Sequence, residues 1–515
     1  MKKIILVFIT IFYIQIIYSQ FSKTHYIPPV SSAISNSVTP QNQYIYISTP
    51  STTPISFQIQ AIGGSVINGT VTRDNPYELL VGNGYDSQMN TGANLAGSIL
   101  SNKGYIIEAQ DQIYVAYRAT GSSSHNQASG LVSKGLAGLG NTFRIGGFIN
   151  TGYSSLRDID YTFASILATE NNTTVSISDV KNGVTLVNSS NGSTPFSINL
   201  NRGESYTIAT IGNSLPNKDG LIGALISSDK PIAVNCGSYG GSNGTNNNNL
   251  DLGFDQIVPF ERVGNEYIFV RGFGENVTER ILIVAHENNT QIFLNGSTTP
   301  TNTLNAGEYV CLLGSVYSAD GNLYLNSSKN VFAYQSIGGS GQQNQEMYFV
   351  PPLSCQTPKV IDNIPMLDRI GNIIFNTNSG VNVVTKTGAT LNFILNGTNY
   401  TLSNLPATVN GPDTILGNSE FVTYQITGLS GNLSVYCSEQ VYLSYFGSSG
   451  AATYGGYYSG FTFKPEIIFE TLNVAVSNCI PNVKLGVSQV SPFDTYQWYY
   501  NGSPIAGATS STYTP

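Results

Sequence analysis

Apolar and polar residues alternate with a period of two along most of this chain. The runs are short and bounded by Asn, Gly, Ser and Pro. Asn42–Ser48 (NQYIYIS), Thr174–Ser178 (TVSIS), Arg280–Ala285 (RILIVA) and Thr290–Gly296 (TQIFLNG) are examples. Such alternation puts one face of an extended chain in a core and the other in water, so it predicts β-strands joined by tight turns. Helical spacing is nearly absent. Only Ser129–Leu139 carries a weak 3.6-residue pattern, the single helix candidate in a chain expected to be all-β.

One phrase recurs: a polar turn, an alternating apolar strand, then a glycine-bearing loop. It starts at Ala109 (AQDQIYVAYRATG), Ser227 (SSDKPIAVNCGSYG), Ser327 (SSKNVFAYQSIGG) and Cys437 (CSEQVYLSYFGSSG). Two further landmarks accompany it. ILATENNTTVSI from Ile166 matches LIVAHENNTQIF from Leu282, and LNRGESYTI from Leu200 matches LNAGEYVCL from Leu304. Asn171-Asn172 and Asn288-Asn289 suit the left-handed backbone of a tight hairpin. The fourth copy keeps a looser second landmark (Leu416–Ile426) and the first only a hint of it (Asn75–Gly82).

A spacing of about 100 residues is a β-sandwich's worth of chain, while propeller blades run to about 40–50. Tandem, closely packed sandwiches are therefore expected, with a propeller-like or fused double-sheet arrangement as the alternative. The expected division is 20–160, 161–270, 271–365 and 366–470 for the four repeats, and 471–515 for a tail of different style. In that tail Cys479, the strand YQWYY with Trp498, the Asn501-Gly502 turn and Tyr513 look like the front half of an immunoglobulin-like domain, truncated at Pro515. A longer parent protein is expected.

Lys2-Lys3, the apolar stretch Ile4–Tyr18 and small Ser19 read as a secretory signal peptide over residues 1–19. No later stretch is apolar and long enough to predict a membrane-spanning helix, so a secreted or outer-surface location is expected. Charged residues are 10% of the chain, against a usual share of about 25%. Asn, Ser, Thr and Gly solvate it instead, alongside 32 Tyr and 23 Phe. A net charge of −8 without a basic stripe speaks against a nucleic-acid partner. Of the five cysteines, Cys236 and Cys437 occupy core positions of repeated strands, and Cys311 with Cys355 is a possible disulfide.

No catalytic constellation emerges, and no cofactor is expected. His286 sits in a hairpin, and His125, in a serine-rich loop, has no G-x-S-x-G elbow to serve. CGSYGGSNG from Cys236 lacks the lysine and helix of a phosphate loop, and no C-x-x-C or H-x-x-x-H exists for zinc. The acidic pairs Asp158/Asp160 and Asp251/Asp255 are weak Ca²⁺ candidates. They are also the residues on which an alternative carbohydrate-active enzyme would depend. What remains is the four glycine loops, at equivalent positions of the repeats. Their candidate ligand-binding residues are His125, Asn126, Gln127, Tyr239, Asn243, Gln342, Gln343, Tyr454 and Tyr457.

HYIPP (His25–Pro29), the ENNT hairpins, LNxGE, SSDKPIAV and PFERVGNEYIFV together, from about His25 to Phe463, resemble the IgGFc-binding protein N-terminal domain family. The resemblance implies a secreted or surface protein of the kind found in gliding Gram-negative bacteria. There, immunoglobulin-like or PKD-like repeats and a type IX sorting domain often follow. It carries no ligand-contacting residue onto this chain. A non-catalytic adhesin recognising an extracellular glycan or protein is the functional expectation. A carbohydrate-active enzyme and a structural stalk protein are the alternatives.

Overall fold

The computed structural model describes residues 20–354, 357–376, 378–461, 467–471, 483–487, 496–500 and 503–514. The expected signal peptide, Cys355 and Cys479 lie outside the described residues. The chain divides into two units, Met1–Thr462 and Phe463–Pro515.

In the first unit each repeated phrase is a single crossing strand: Tyr105–Gly121, Leu225–Tyr239 and Asn322–Ser340. In the fourth copy it is split into Leu433–Cys437 and Val441–Ser449. The polar turn in its middle is where the strand leaves one sheet for the other. Its first half pairs antiparallel with an opening strand: Ser22–Ile27, Gly140–Arg144, Gly264–Val270 or Val360–Ile364. Its second half pairs with an inner strand: Gln127–Val132, Leu252–Ile257, Asn344–Phe349 or Ala452–Tyr457. Each copy is thus a two-sheet module; in the first three the sheets share one bent strand, and in the fourth each half serves its own sheet. The opening strands of modules two to four fall in the stretches expected to end the preceding repeats, because the sequence reveals a strand but not its partner.

The repeated motifs meet at one corner of the module. Asn172 and Asn289 take φ of 54° and 57° in their hairpins, a backbone that asparagine tolerates better than most residues. The preceding Asn171 and Asn288 accept, through Oδ1, the backbone N–H of Arg202 and Ala306 in the LNxGE turns. Lys230 and Lys329 of the crossing strands donate to the carbonyls of Asn171 and Asn288 at 2.5 and 2.9 Å. Glu204 and Glu308 close their own turns by accepting from Asn201 and Asn305 N–H, both at 2.7 Å. These phrases are therefore architecture. The polar atoms named here satisfy one another.

The four inner strands pack in a closed cycle, first on second, second on third, third on fourth and fourth on first. Every residue in them is buried. The cores cross the module boundaries in the same order. Ile45, Ile107 and Tyr117 of the first module share a core with Phe163, Tyr239 and Phe254 of the second. Residues of the second and third share another, with Phe332, Tyr334 and Cys236 inside it. Tyr114, Ala128 and Val132 of the first join Val383, Leu443 and Tyr454 of the fourth. At about 1.5–3 kcal/mol for each fully buried large apolar side chain, no module stands apart from its neighbours. The two-sheet modules are sandwiches, and their arrangement is a ring, so features of both expected architectures coexist. The helix candidate resolves as the inner strand Gln127–Val132 followed by a 3₁₀ turn at Gly135–Gly138. Strand pairing with Ala116–Gly121 overrides its weak helical pattern.

The second unit has a small antiparallel sheet of Ile467–Thr471, Val483–Val487 and Thr512–Tyr513, and a hairpin pairing Tyr499–Tyr500 with Ser503–Pro504. Trp498 stacks on Tyr513 at 5.8 Å and its Nε1 donates to the carbonyl of Ser510.

Candidate functional site: the glycine-loop face

Each glycine loop joins a crossing strand to its inner strand, so the closed cycle of inner strands brings the loops to one end of the ring. The second loop touches the third, and the base of the third touches the fourth. Thr245 N and Oγ1 donate to Gln342 Oε1 at 3.1 and 3.2 Å, and Asn243 N donates to Gln345 Oε1. Asn344 Nδ2 donates to the carbonyl of Gly450 at 2.9 Å. The exposed tips are Ser123, Ser124 and Asn126 in the first loop, Thr245 to Asn248 in the second and Gln343 in the third.

The nine candidate residues separate by burial. Asn126 and Gln343 are exposed, and His125 and Gln342 half-buried. His125 takes φ of 54° and turns Nδ1 toward Asn42 Nδ2 and Thr120 Oγ1. Gln342 bridges the second and third loops and donates to Glu275 at 2.7 Å. The other five lie inside. Tyr239 stacks on Phe254 at 5.5 Å, and Tyr457 packs edge-on against Tyr348 at 5.4 Å. The Tyr454 hydroxyl donates to the carbonyl of Leu367 at 2.8 Å. Asn243 Oδ1 accepts from Ile149 N, and Gln127 is buried. Tyr239, Gln127, Tyr454 and Tyr457 lie on strands buried on both faces, and Asn243 is buried within the second loop, so these five side chains belong to the interior.

The acidic pairs are also occupied internally. Residues Thr151–Asp160 form turns, not a strand, so alternation does not put Asp158 and Asp160 on one face. Asp158 is exposed, whereas Asp160 is buried and held by Arg157 and by the Tyr153 hydroxyl at 2.7 Å. Asp255 is fully buried, paired with Lys134 at 2.9 Å, and accepts the backbone N–H of Val132 and Phe349. Burial pushes the Asp255 carboxyl up and the Lys134 amine down, opposed by their mutual attraction. Asp251 is buried with Oδ2 accepting from Gln345. Its carboxyl is held well above the usual range by burial. Among the described residues no group of three His, Cys, Asp or Glu side chains is placed to hold a metal.

His25 and His286 pack into the fold. His25 is enclosed by Ser133 Oγ and the carbonyls of Ser22 and Ile113, and burial lowers its pKa to about 4. His286 lies 4.0 Å from the Phe260 ring, and Arg144 Nε donates to its Nδ1 at 3.4 Å. Cys236, Cys311 and Cys437 are free thiols.

Sequence reading missed the groups that hold the ring together. Glu346, on the third inner strand, reaches the first, accepting from Ser129 Oγ and Gly130 N. Fully buried Arg118 joins the first module to the fourth. Its guanidinium donates to the carbonyls of Pro365, Met366 and Arg369 and to Tyr445 OH, and lies over the rings of Tyr46, Tyr445 and Tyr454. A charge amid the apolar run IYVAYRATG was the available signal.

No curated protein matches the sequence. A solved structure described as "Ca2+-stabilized adhesin helps an Antarctic bacterium reach out and bind ice" is similar at 11% identity. That similarity covers 86% of this chain and 99% of that one, with a TM-score of 0.11 that supports no argument. The family model described as IgGFc binding protein matches residues 129–447. That span is more than half of the 515 residues and runs from the first inner strand to the fourth crossing strand. The chain belongs to the IgGFc binding protein family.

Proposed function

We propose that this protein is a non-catalytic, secreted or cell-surface binding protein of adhesin type. It engages an extracellular protein or glycan through the glycine-loop face. The observation that carries this reading is the gathering of the loops of successive modules at one end of a closed ring. The tips of the first three expose uncharged hydrogen-bonding side chains, while the phrases behind them are committed to the core. Recognition is commonly grafted on loops that a rigid scaffold positions. Family membership supports binding rather than turnover, and Asp160 and Asp255 are taken by Arg157 and Lys134. Among the described residues no helix is long and apolar enough to cross a membrane. The second unit, with Trp498 stacked on Tyr513, fits the beginning of an immunoglobulin-like repeat.

The test immobilises the full chain and measures binding of antibody Fc, mucin and a glycan panel. The triple variant Ser124→Arg, Asn246→Arg, Gln343→Arg alters three exposed tips. Loss of binding at an unchanged melting midpoint supports the reading. Binding that survives all three substitutions contradicts it.

A further inference from the structure

We infer that the outer sheet of the fourth module carries a second binding site, separate from the loop face, for an uncharged oligosaccharide. The sheet runs in the order Val360–Ile364, Leu433–Cys437, Leu391–Leu395, Thr398–Thr401. Leu391, Phe393 and Leu395 point into the core, so Asn392 and Ile394 point outward. The register places Thr401 and Tyr436 on either side of Asn392, and Asn399 opposite Ile394. A row across three strands spans about 10 Å, room for two linked pyranose rings. These residues and Asn404 line a trough of about 460 Å³. A second trough of about 510 Å³ shares Ile394 and continues to Arg73 and Asp74 of the first module.

The chemistry selects the ligand. The first trough has no charged side chain. It offers a tyrosine ring, an isoleucine, and amides and a hydroxyl that both donate and accept, as each sugar hydroxyl does. The backbone beneath is already paired in the sheet, so a ligand on this face meets side chains and not ladder groups. A phenol combines an apolar body with a polar tip, which suits the apolar face of a pyranose. Tyr436 is also held in place. Its hydroxyl donates to Asp362 Oδ1 at 2.7 Å and receives Arg73 Nη2 at 3.5 Å. A pre-positioned ring loses little freedom when a ligand arrives. Outward rows of the first two modules, Asn68–Gln58–Glu108 and Ser197–Ser176–Ser227, are polar and lack an aromatic ring. In the third module the corresponding outward ring is Phe293, paired with Asn326 and lacking a hydroxyl.

The experiment is calorimetric titration of the full chain with gluco-, manno-, xylo- and cello-hexasaccharides, with a hexauronate as the charged contrast. A neutral hexasaccharide is expected to bind in preference to the hexauronate. Tyr436→Ala is expected to weaken it about tenfold or more, as for an aromatic anchor. Tyr436→Phe, which keeps the ring, and Asn399→Ala, on the exposed surface, are expected to keep the fold and to weaken binding about threefold or less. No neutral binder, or a preference for the uronate, would overturn the proposal. So would neutral-sugar binding that Tyr436→Ala leaves intact. The triple loop-tip variant separates the two sites. If it abolishes sugar binding and Tyr436→Ala does not, the sugar belongs to the loop face and this inference fails alone.

Discussion

Glu346 accepts a hydrogen bond from Ser129 Oγ at 2.9 Å, joining residues 217 positions apart on opposite inner strands of the ring. The same carboxyl takes Gly130 N at 3.2 Å and its neighbour Met347 N at 2.9 Å, and nothing at this point is solvent-accessible. Burial holds the Glu346 carboxyl well above the usual carboxylate range. An amide of the same shape keeps one acceptor oxygen but turns its NH2 toward a backbone N–H, so it replaces the carboxyl only in part. Glu346→Gln, which leaves one buried N–H facing the amide NH2, is expected to cost about 1–3 kcal/mol. Glu346→Ala, which strands the Ser129 hydroxyl and two backbone N–H groups, is expected to cost about 3–5 kcal/mol. Urea unfolding of the three proteins checks this.

Arg118 is the clasp between the first and last modules, where the ring closes. Its planar fork meets three carbonyls at 2.7–3.0 Å between Pro365 and Arg369. Lysine carries the charge but not the fork. Arg118→Lys is expected to cost about 2–4 kcal/mol, because buried carbonyls are left unpaired. Limited proteolysis should then cut first between residues 365 and 371, earlier than in the wild type.

Period-two alternation and turn chemistry were enough to expose an all-β chain of four repeats in the sequence. The Asn172 and Asn289 hairpins, the LNxGE turns and the strand after each polar turn all stand where those patterns put them. The ring was not legible, because pairing between inner strands is a long-range choice that local patterning does not encode. The same gap explains the site residues. Tyr239, Tyr454 and Tyr457 sit in or beside glycine-rich phrases, and only the burial of the strand on both sides shows them to be core. Asp255 looked like an oxygen ligand because its cation, Lys134, lies 121 residues away.

Glu279 should make stability depend on pH. It is buried and accepts the N–H of Gly272, Gly274 and Gly338, tying the segment before it to the base of the third loop. Burial raises its pKa to about 7, against the opposing pull of those three donors. A raised folded-state pKa means that its stabilising contribution is complete below about 4.5 and is lost as pH rises through about 7. Between those limits the wild type is expected to lose about 3 kcal/mol relative to Glu279→Gln, which does not titrate. Denaturant midpoints of both proteins at half-unit pH steps check the difference.

The hairpin asparagines give a local test. At φ of 54°, Asn172 occupies a backbone region where alanine costs about 1–2 kcal/mol and glycine costs nothing sterically. Asn172→Ala is expected to lower the melting midpoint, and Asn172→Gly to leave it nearly unchanged.

Hydrogen–deuterium exchange on the full chain, free and bound to whichever of antibody Fc or mucin it captures, tests the loop-face account most directly. The expected result is protection confined to segments 122–126, 242–249, 341–343 and 449–451, rising together on one face of the ring. Protection elsewhere with these four segments unchanged would contradict it.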